Sequence, residues 1–237
     1  MPFAINSALA TGGSLENMQE LSATGARGER GYHSGMIPQA DVEDVDAICD
    51  ALRDRGACRL PDFPDAAATL ALREDLLRLR DAGALVPAAV GRGAGRGQRT
   101  EIRGDATLWL DDPRAGAAAG AYLAALDGLR VAINRRLFLG ADEVEAHYAE
   151  YPAGARYARH RDRFRDDDAR VVSFVTYLNP DWRDDDGGAL RLALADGDID
   201  LVPRTGSICF LSELEHEVLP ATRDRRSIAA WMRRRPR

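Results

Sequence analysis

Hydrophobic positions follow two rhythms along the chain. In the first part they recur at three- and four-residue spacing. Val42, Val45, Cys49 and Leu52 form one such stripe, between Asp41 and Gly56. A carboxylate ahead of the stripe accepts the free N–H groups of a first helical turn, and a glycine behind it adopts the left-handed conformation that closes the last. Asp41 is therefore the expected N-cap of a first helix that ends at Gly56. Ala57-Cys-Arg-Leu60 reads as a short strand. Leu72, Leu76 and Leu79 predict a second helix from about Asp65 to Asp81, and Leu123, Leu126, Ile133 and Leu137 predict a long alanine-rich one from Arg114 to Leu137.

After residue 143 the period shortens to two. Alternating segments predict strands at Val144–Tyr151, Val171–Leu178, Ala189–Leu194, Asp198–Val202, Ser207–Leu211, His216–Leu219 and Ser227–Met232. Turn-forming stretches separate them, among them Asp184-Asp-Asp-Gly-Gly188 and Pro203-Arg-Thr-Gly206. Evenly spaced strands after a run of helices predict an α+β chain, mainly β: a barrel or jelly roll with supporting N-terminal helices. Residues 1–39, polar and without periodicity, read as a flexible arm, and residues 40–237 as one domain. Gly91-Arg-Gly-Ala-Gly-Arg-Gly97 alternates its glycines and matches neither phosphate-binding pattern, so it reads as a mobile loop, with order resuming at Thr100-Glu-Ile-Arg103.

Composition narrows the function classes. The chain has 237 residues and a net charge of −6, and its 32 cationic residues are all arginine. That balance argues against nucleic-acid binding through overall positive charge. Cys49, Cys58 and Cys209 are odd in number and too scattered for a zinc motif. The most apolar long stretch, Ala115–Ile133, is broken by Asp127 and Arg130, which disfavours a membrane span. The N-terminal sequence has no charged segment followed by an apolar core. The expectation is a cytoplasmic protein without a signal peptide, a monomer or weak dimer.

Candidate chemistry gathers around few residues. The chain has four histidines, His33, His147, His160 and His216. His160-Arg161-Asp162 puts an imidazole and a carboxylate on one side of an extended backbone, and His216 begins a later strand. Two imidazoles and one carboxylate suit Fe(II) and occupy one face of its octahedron, leaving positions for a chelating cosubstrate and dioxygen. On the last strand Arg225, Ser227, Ala229 and Trp231 share a face. A guanidinium and a hydroxyl there match the distal end of a dicarboxylate. Bland alternatives stand beside these readings. Arg156–Arg170 also fits a solvated charged loop, Tyr151, Tyr177 and Trp231 fit an aromatic core, and Arg103 with Asp105 fits a structural ion pair.

These residues stand within a longer ordered pattern. Ile102-Arg-Gly-Asp105 through Trp109, Tyr151-Pro, Tyr157-Ala-Arg-His160-Arg-Asp162, Tyr177-Leu-Asn-Pro-Asp-Trp182, Gly187-Gly-Ala-Leu-Arg191 and His216-Glu-Val-Leu-Pro-Ala221 before Arg225 follow one another. Over Thr100 to Met232 the chain resembles the Fe(II)- and 2-oxoglutarate-dependent dioxygenases, and among them the prolyl hydroxylases of hypoxia-inducible factor and their bacterial relatives. The resemblance implies a double-stranded β-helix (jelly roll). It implies that His160, Asp162 and His216 bind Fe(II), that Arg225 and Tyr177 hold the distal carboxylate of 2-oxoglutarate, and that Ser227 and Tyr151 border the cosubstrate. Trp231 would line the pocket near the substrate's reacting carbon, and Arg170 would contact a peptide substrate. The implied reaction consumes dioxygen, releases succinate and carbon dioxide, and hydroxylates an unactivated C–H bond. A prolyl residue of a protein or peptide is the favoured target, a translation elongation factor being one candidate. Ascorbate binding is a further family trait, and neither nucleic acid nor membrane is an expected partner. The family pattern departs at Arg161 and Ala229, where the relatives have an apolar and a polar residue. It also stops six residues past Trp231, short of the family's C-terminal helix. A hydroxylase of a free amino acid or natural product, and a metal-binding jelly roll without turnover, remain as alternatives.

Overall fold

Asp44, not Asp41, opens the first helix in the computed structural model, which describes residues 36–89, 97, 99, 101–163 and 169–235. The Asp44 carboxylate accepts the Ala47 N–H at 3.0 Å, while Asp41 accepts from Glu43 N–H in the turn before. Helix α1 (Val45–Arg55) closes on Gly56, at φ 76°, whose N–H reaches the Leu52 carbonyl. Helix α2 (Ala66–Asp81) is capped by Asp65 as expected. Helix α3 (Ala117–Leu137) starts three residues late, because Arg114 folds back onto the Asp112 carboxylate.

Strands β4 (Glu143–Tyr151), β6 (Arg170–Tyr177), β7 (Leu190–Leu194), β8 (Gly197–Leu201), β9 (Gly206–Leu211), β10 (His216–Val218) and β11 (Arg225–Arg233) fall close to their predicted places. So does β1 (Ala57–Leu60). Three strands escape the periodicity argument: β2 (Val86–Pro87), β3 (Ala106–Trp109) and β5 (Tyr157–His160). β2 has only two residues, and β3 and β5 show no regular alternation of apolar and polar positions.

Two antiparallel sheets result. Seven strands pair in the order β1-β9-β6-β11-β4-β3-β2 and four in the order β5-β10-β7-β8, the two layers of a jelly roll. The large sheet is buried on both faces. Even-numbered residues of its central strands (Tyr148, Val172, Phe174, Ile228, Ala230, Met232) meet Leu72, Leu76, Leu126 and Ile133 of the helices. Odd-numbered ones, Ala149, Tyr151, Val175 and Tyr177, turn toward the small sheet and its Leu190, Leu192 and Val218. The three cysteines are buried free thiols. No helix among the described residues is long and apolar enough to cross a membrane.

Of the predicted arm, residues 1–35 lie outside the described residues, as do residues 90–96 of the glycine-rich loop. Residues 36–39 are docked, however. Ile37 and Pro38 are buried, and Pro38 accepts a backbone hydrogen bond from Arg59 on β1.

One buried carboxylate ties the helical layer to the sheet. Asp75 of α2 accepts the Tyr148 hydroxyl at 3.0 Å and the Gly116 N–H, at the start of α3, at 2.9 Å. Asp75→Ala is expected to orphan both donors and to lower stability by about 1–3 kcal/mol in urea unfolding. Tyr148→Phe, which removes only one bond, is expected to cost less.

Candidate active site

The odd-numbered face of β4, β6 and β11 forms one wall of a pocket, and the small sheet forms the other. His160, the last residue of β5, pairs in register with His216, the first of β10. Asp162 follows two residues after His160, so all three side chains converge. Their ligand atoms lie within 4.8 Å of one another. His160 Nε2 is 3.7 Å from one Asp162 oxygen and His216 Nε2 is 3.5 Å from the other.

Backbone carbonyls set the rings. His160 Nδ1 faces the Ala158 carbonyl at 2.8 Å, and His216 Nδ1 faces that of Leu214 at 3.0 Å. An N–H at Nδ1 leaves Nε2 with its lone pair free, the tautomer a metal requires. Burial first, and then His216 alongside, pushes the His160 pKa down to about 4. Burial acts against ionisation of Asp162, but the two imidazoles and Arg170 outweigh it and hold the carboxyl well below its ordinary range. Ser173 donates to the Asp162 carboxylate at 2.7 Å and is itself paired with Ser212. The cluster thus turns two imidazole nitrogens and one carboxylate toward a common point.

Deeper in the same pocket lies Arg225, 1% exposed. Its Nε donates to the Gly188 carbonyl at 2.9 Å and its Nη1 to Ser227 Oγ at 3.1 Å. Gly188 sits at φ 69°, and a Cβ there would come within 2.9 Å of Ala221 Cβ and 3.3 Å of Arg225 Cδ. Only glycine brings its carbonyl to the guanidinium in this way. Arg225 Nη2 is buried without a hydrogen-bond partner, and so is the Tyr177 hydroxyl, whose ring centre is 5.4 Å from the guanidinium carbon. A buried donor left unmatched costs about 1–3 kcal/mol. Two of them together, one cationic, match an anionic acceptor. Arg226 points the other way, onto Glu150 and Asp224.

Aromatic residues complete the walls. Tyr151 lies 5.2 Å from the Arg225 guanidinium, and Trp231 lines the pocket beside His147. Arg170 stacks on the Trp231 ring at 3.5 Å and pairs with Glu145 at 2.7 Å, which brings it to 3.8 Å from Asp162. The structure therefore brings together every residue that the sequence singles out: His160, Asp162, His216, Arg225, Ser227, Tyr177, Tyr151, Arg170 and Trp231.

The comparisons agree with this geometry. The family model described as the 2OG-Fe(II) oxygenase superfamily matches residues 146–233. Among solved structures, a prolyl-4-hydroxylase of Pseudomonas putida is 46% identical, with a TM-score of 0.73, covering 81% of this chain and 100% of that one. The chain belongs to the 2OG-Fe(II) oxygenase superfamily. A prolyl hydroxylase of Trichoplax adhaerens, solved with a hypoxia-inducible-factor peptide fragment, is 28% identical with a TM-score of 0.69, covering 80% of this chain and 89% of that one. The human Egl nine homolog 1 is 25% identical over 197 residues, 79% of this chain and 46% of that protein. The chain spans about half the length of the curated relatives it matches.

The oxygenase family uses Fe(II), 2-oxoglutarate and dioxygen, and the residues present fit the first two. His160, Asp162 and His216 offer the nitrogen and oxygen donors suited to Fe(II). The unmatched Arg225 and Tyr177 donors suit the distal carboxylate of 2-oxoglutarate. Several pocket residues of this oxygenase carry no local sequence signal. Ser173 is one serine in an apolar strand. His147 is different: it shares the strand face of Tyr151, which places it near the site but not as a ligand. It is buried in the pocket wall against Trp109 and Trp231, where burial pushes its pKa down to about 4. Arg103, read as half of a structural ion pair, does bind Asp105 at 2.7 Å, but it also lines the pocket.

Proposed function

We propose that this oxygenase is an Fe(II)- and 2-oxoglutarate-dependent hydroxylase of prolyl residues in a protein or peptide. One observation carries the reading: a two-histidine, one-carboxylate cluster and a guanidinium with an unmatched buried N–H share one pocket. Iron with 2-oxoglutarate supplies the oxidising power, dividing dioxygen between the substrate and a cosubstrate that leaves as succinate and carbon dioxide. The chain's own residues do the rest. His160, Asp162 and His216 would hold the metal. Arg225, Tyr177 and Ser227 seat the distal carboxylate of 2-oxoglutarate, and Tyr151 walls the cosubstrate. The apolar walls exclude water from the reacting centre. Trp231 offers an aromatic surface to a prolyl ring, and Arg170, stacked on it, offers guanidinium donors to a peptide carbonyl. The prolyl hydroxylases among the similar structures support a prolyl target, and the Trichoplax adhaerens enzyme supports a peptide one. In this reading the protein works in the cytoplasm as a monomer or weak dimer and binds ascorbate.

The test is mass spectrometry of host proteins, elongation factors first, after incubation with the enzyme, Fe(II) and 2-oxoglutarate under air. A one-oxygen gain on a prolyl residue, with matching succinate release, is the expected result. Hydroxylation of free proline or another metabolite with no modified protein would move the assignment to a small-molecule hydroxylase. Metal binding with no succinate above background would leave a non-catalytic jelly roll.

A further inference from the structure

His160 has a brace that the metal cluster itself does not explain. The Tyr157 ring lies face to face with the His160 imidazole, centroids 3.7 Å apart and planes 18° from parallel. The Arg103 guanidinium lies over the same tyrosine ring, its carbon 4.8 Å from the centroid. Asp105, 3% exposed, grips that guanidinium with both oxygens, at 2.7 and 2.9 Å. Arg103 Nη2 also comes within 3.4 Å of His147 Nε2 in the pocket wall.

Backbone geometry places each part. Residues three apart on a regular strand face opposite ways, so Tyr157 and His160 should be separated by the sheet. They are not, because β5 carries an irregularity. Tyr157 to His160 spans three residues against two from Val218 to His216 on β10, and the extra residue turns both rings to one side. Arg103 is set opposite Tyr157 by its own bridge, flanked by hydrogen bonds from Ala158 N–H to the Ile102 carbonyl and from Gly104 N–H to the Arg156 carbonyl. A Cβ on Gly104 would lie 3.0 Å from that of Ala155, so a small residue is needed for this approach.

We infer that Tyr157 and Arg103 are positioning residues that fix the plane of the His160 imidazole and so set the metal affinity and coordination geometry of the site. The Nδ1–H bond to Ala158 pins one edge of the ring but still permits tilt about that bond. A flat ring packed against its face removes the tilt, and a guanidinium clamped at both oxygens of Asp105 holds the flat ring. Among the three ligands His160 needs this most, since His216 and Asp162 are buried while His160 is only partly so. The inference deepens the proposed function and rests on it.

The experiment measures Mn(II) affinity of the full chain by calorimetry under nitrogen, and the visible spectrum of the Co(II)-loaded protein. Tyr157→Leu removes the ring, Tyr157→Phe keeps it, and Arg103→Lys keeps the charge but loses the planar two-pronged grip. Tyr157→Leu and Arg103→Lys are expected to weaken Mn(II) binding about 10- to 100-fold, the range for lost outer-shell partners. Both should shift the Co(II) bands, while Tyr157→Phe stays within about twofold of wild type with its spectrum. Thermal melting of the metal-free proteins keeps unfolding apart from positioning. Should Tyr157→Leu lose its fold, Arg103→Lys and Tyr157→Phe still decide the matter. Wild-type affinity and spectrum in a folded Tyr157→Leu or Arg103→Lys would overturn the inference alone. Failure of the wild-type protein to bind Mn(II) or Co(II) would instead overturn the proposed function on which it rests.

Discussion

His216→Ala is expected to reduce Fe(II) affinity by roughly 100-fold or more, beyond the 10- to 100-fold range seen when only an outer-shell partner is lost. His160→Ala and Asp162→Ala should do the same, because the three ligand atoms converge within 4.8 Å and two cannot fix a facial geometry. The folded protein should survive His216→Ala. The histidine begins a three-residue strand, and its ring hydrogen-bonds one backbone carbonyl. His147→Ala serves as the control. It too is a buried pocket histidine, but its ring sits against Trp109 and Trp231 and is not one of the three converging ligands. Calorimetric titration with Fe(II) under nitrogen separates the two. Wild-type affinity in His216→Ala would show that the triad is wrongly assigned.

Arg225→Ala and Arg226→Ala are neighbours in sequence with opposite expected effects. Arg225 projects into the pocket with an unmatched Nη2, whereas Arg226 lies on the other face, 2.7 Å from Glu150. Losing the charged contact of Arg225 with 2-oxoglutarate should cost ~1.5–3 kcal/mol, a ~10- to 100-fold rise in the cosubstrate concentration needed. Arg226→Ala should leave that requirement unchanged within about twofold and lower stability, because Glu150 then loses its closest cation. Titration of the Mn(II)-loaded variants with 2-oxoglutarate reads the first effect and urea unfolding the second. A weakened response in Arg226→Ala alone would mean that the register of β11 is shifted by one residue.

That register was readable before any tertiary structure. Hydrophobicity alone does not orient β11, since Ile228, Ala230 and Met232 on one face and Ala229 and Trp231 on the other are all apolar. Placing the Trp231 ring inward decides it, and the same choice turns Arg225 and Ser227 inward. The helix stripes and the long strands were equally legible, being long enough to show their periods. The first N-cap was not. Asp41 and Asp44 are three residues apart and both precede an apolar stripe, and only the backbone chooses which one meets the first free N–H groups. Strands β2, β3 and β5 lack an alternation that would mark them, and Arg103, Ser173 and Glu145 carry roles that depend on neighbours distant in the chain.

The sequence by itself determined which residues share a face along the long strands, and hence a candidate metal triad, a candidate anion-pairing arginine and aromatic residues beside them. Alternation is a local property of the backbone and survives without knowledge of the fold. The tertiary structure alone decided that His216 pairs with His160, that the helix-side core takes one face of the large sheet, and that an extra residue in β5 turns Tyr157 onto the ligand it would otherwise face away from. Strand pairing and bulges join segments far apart in the chain, and the energy that selects them lies in contacts between those segments.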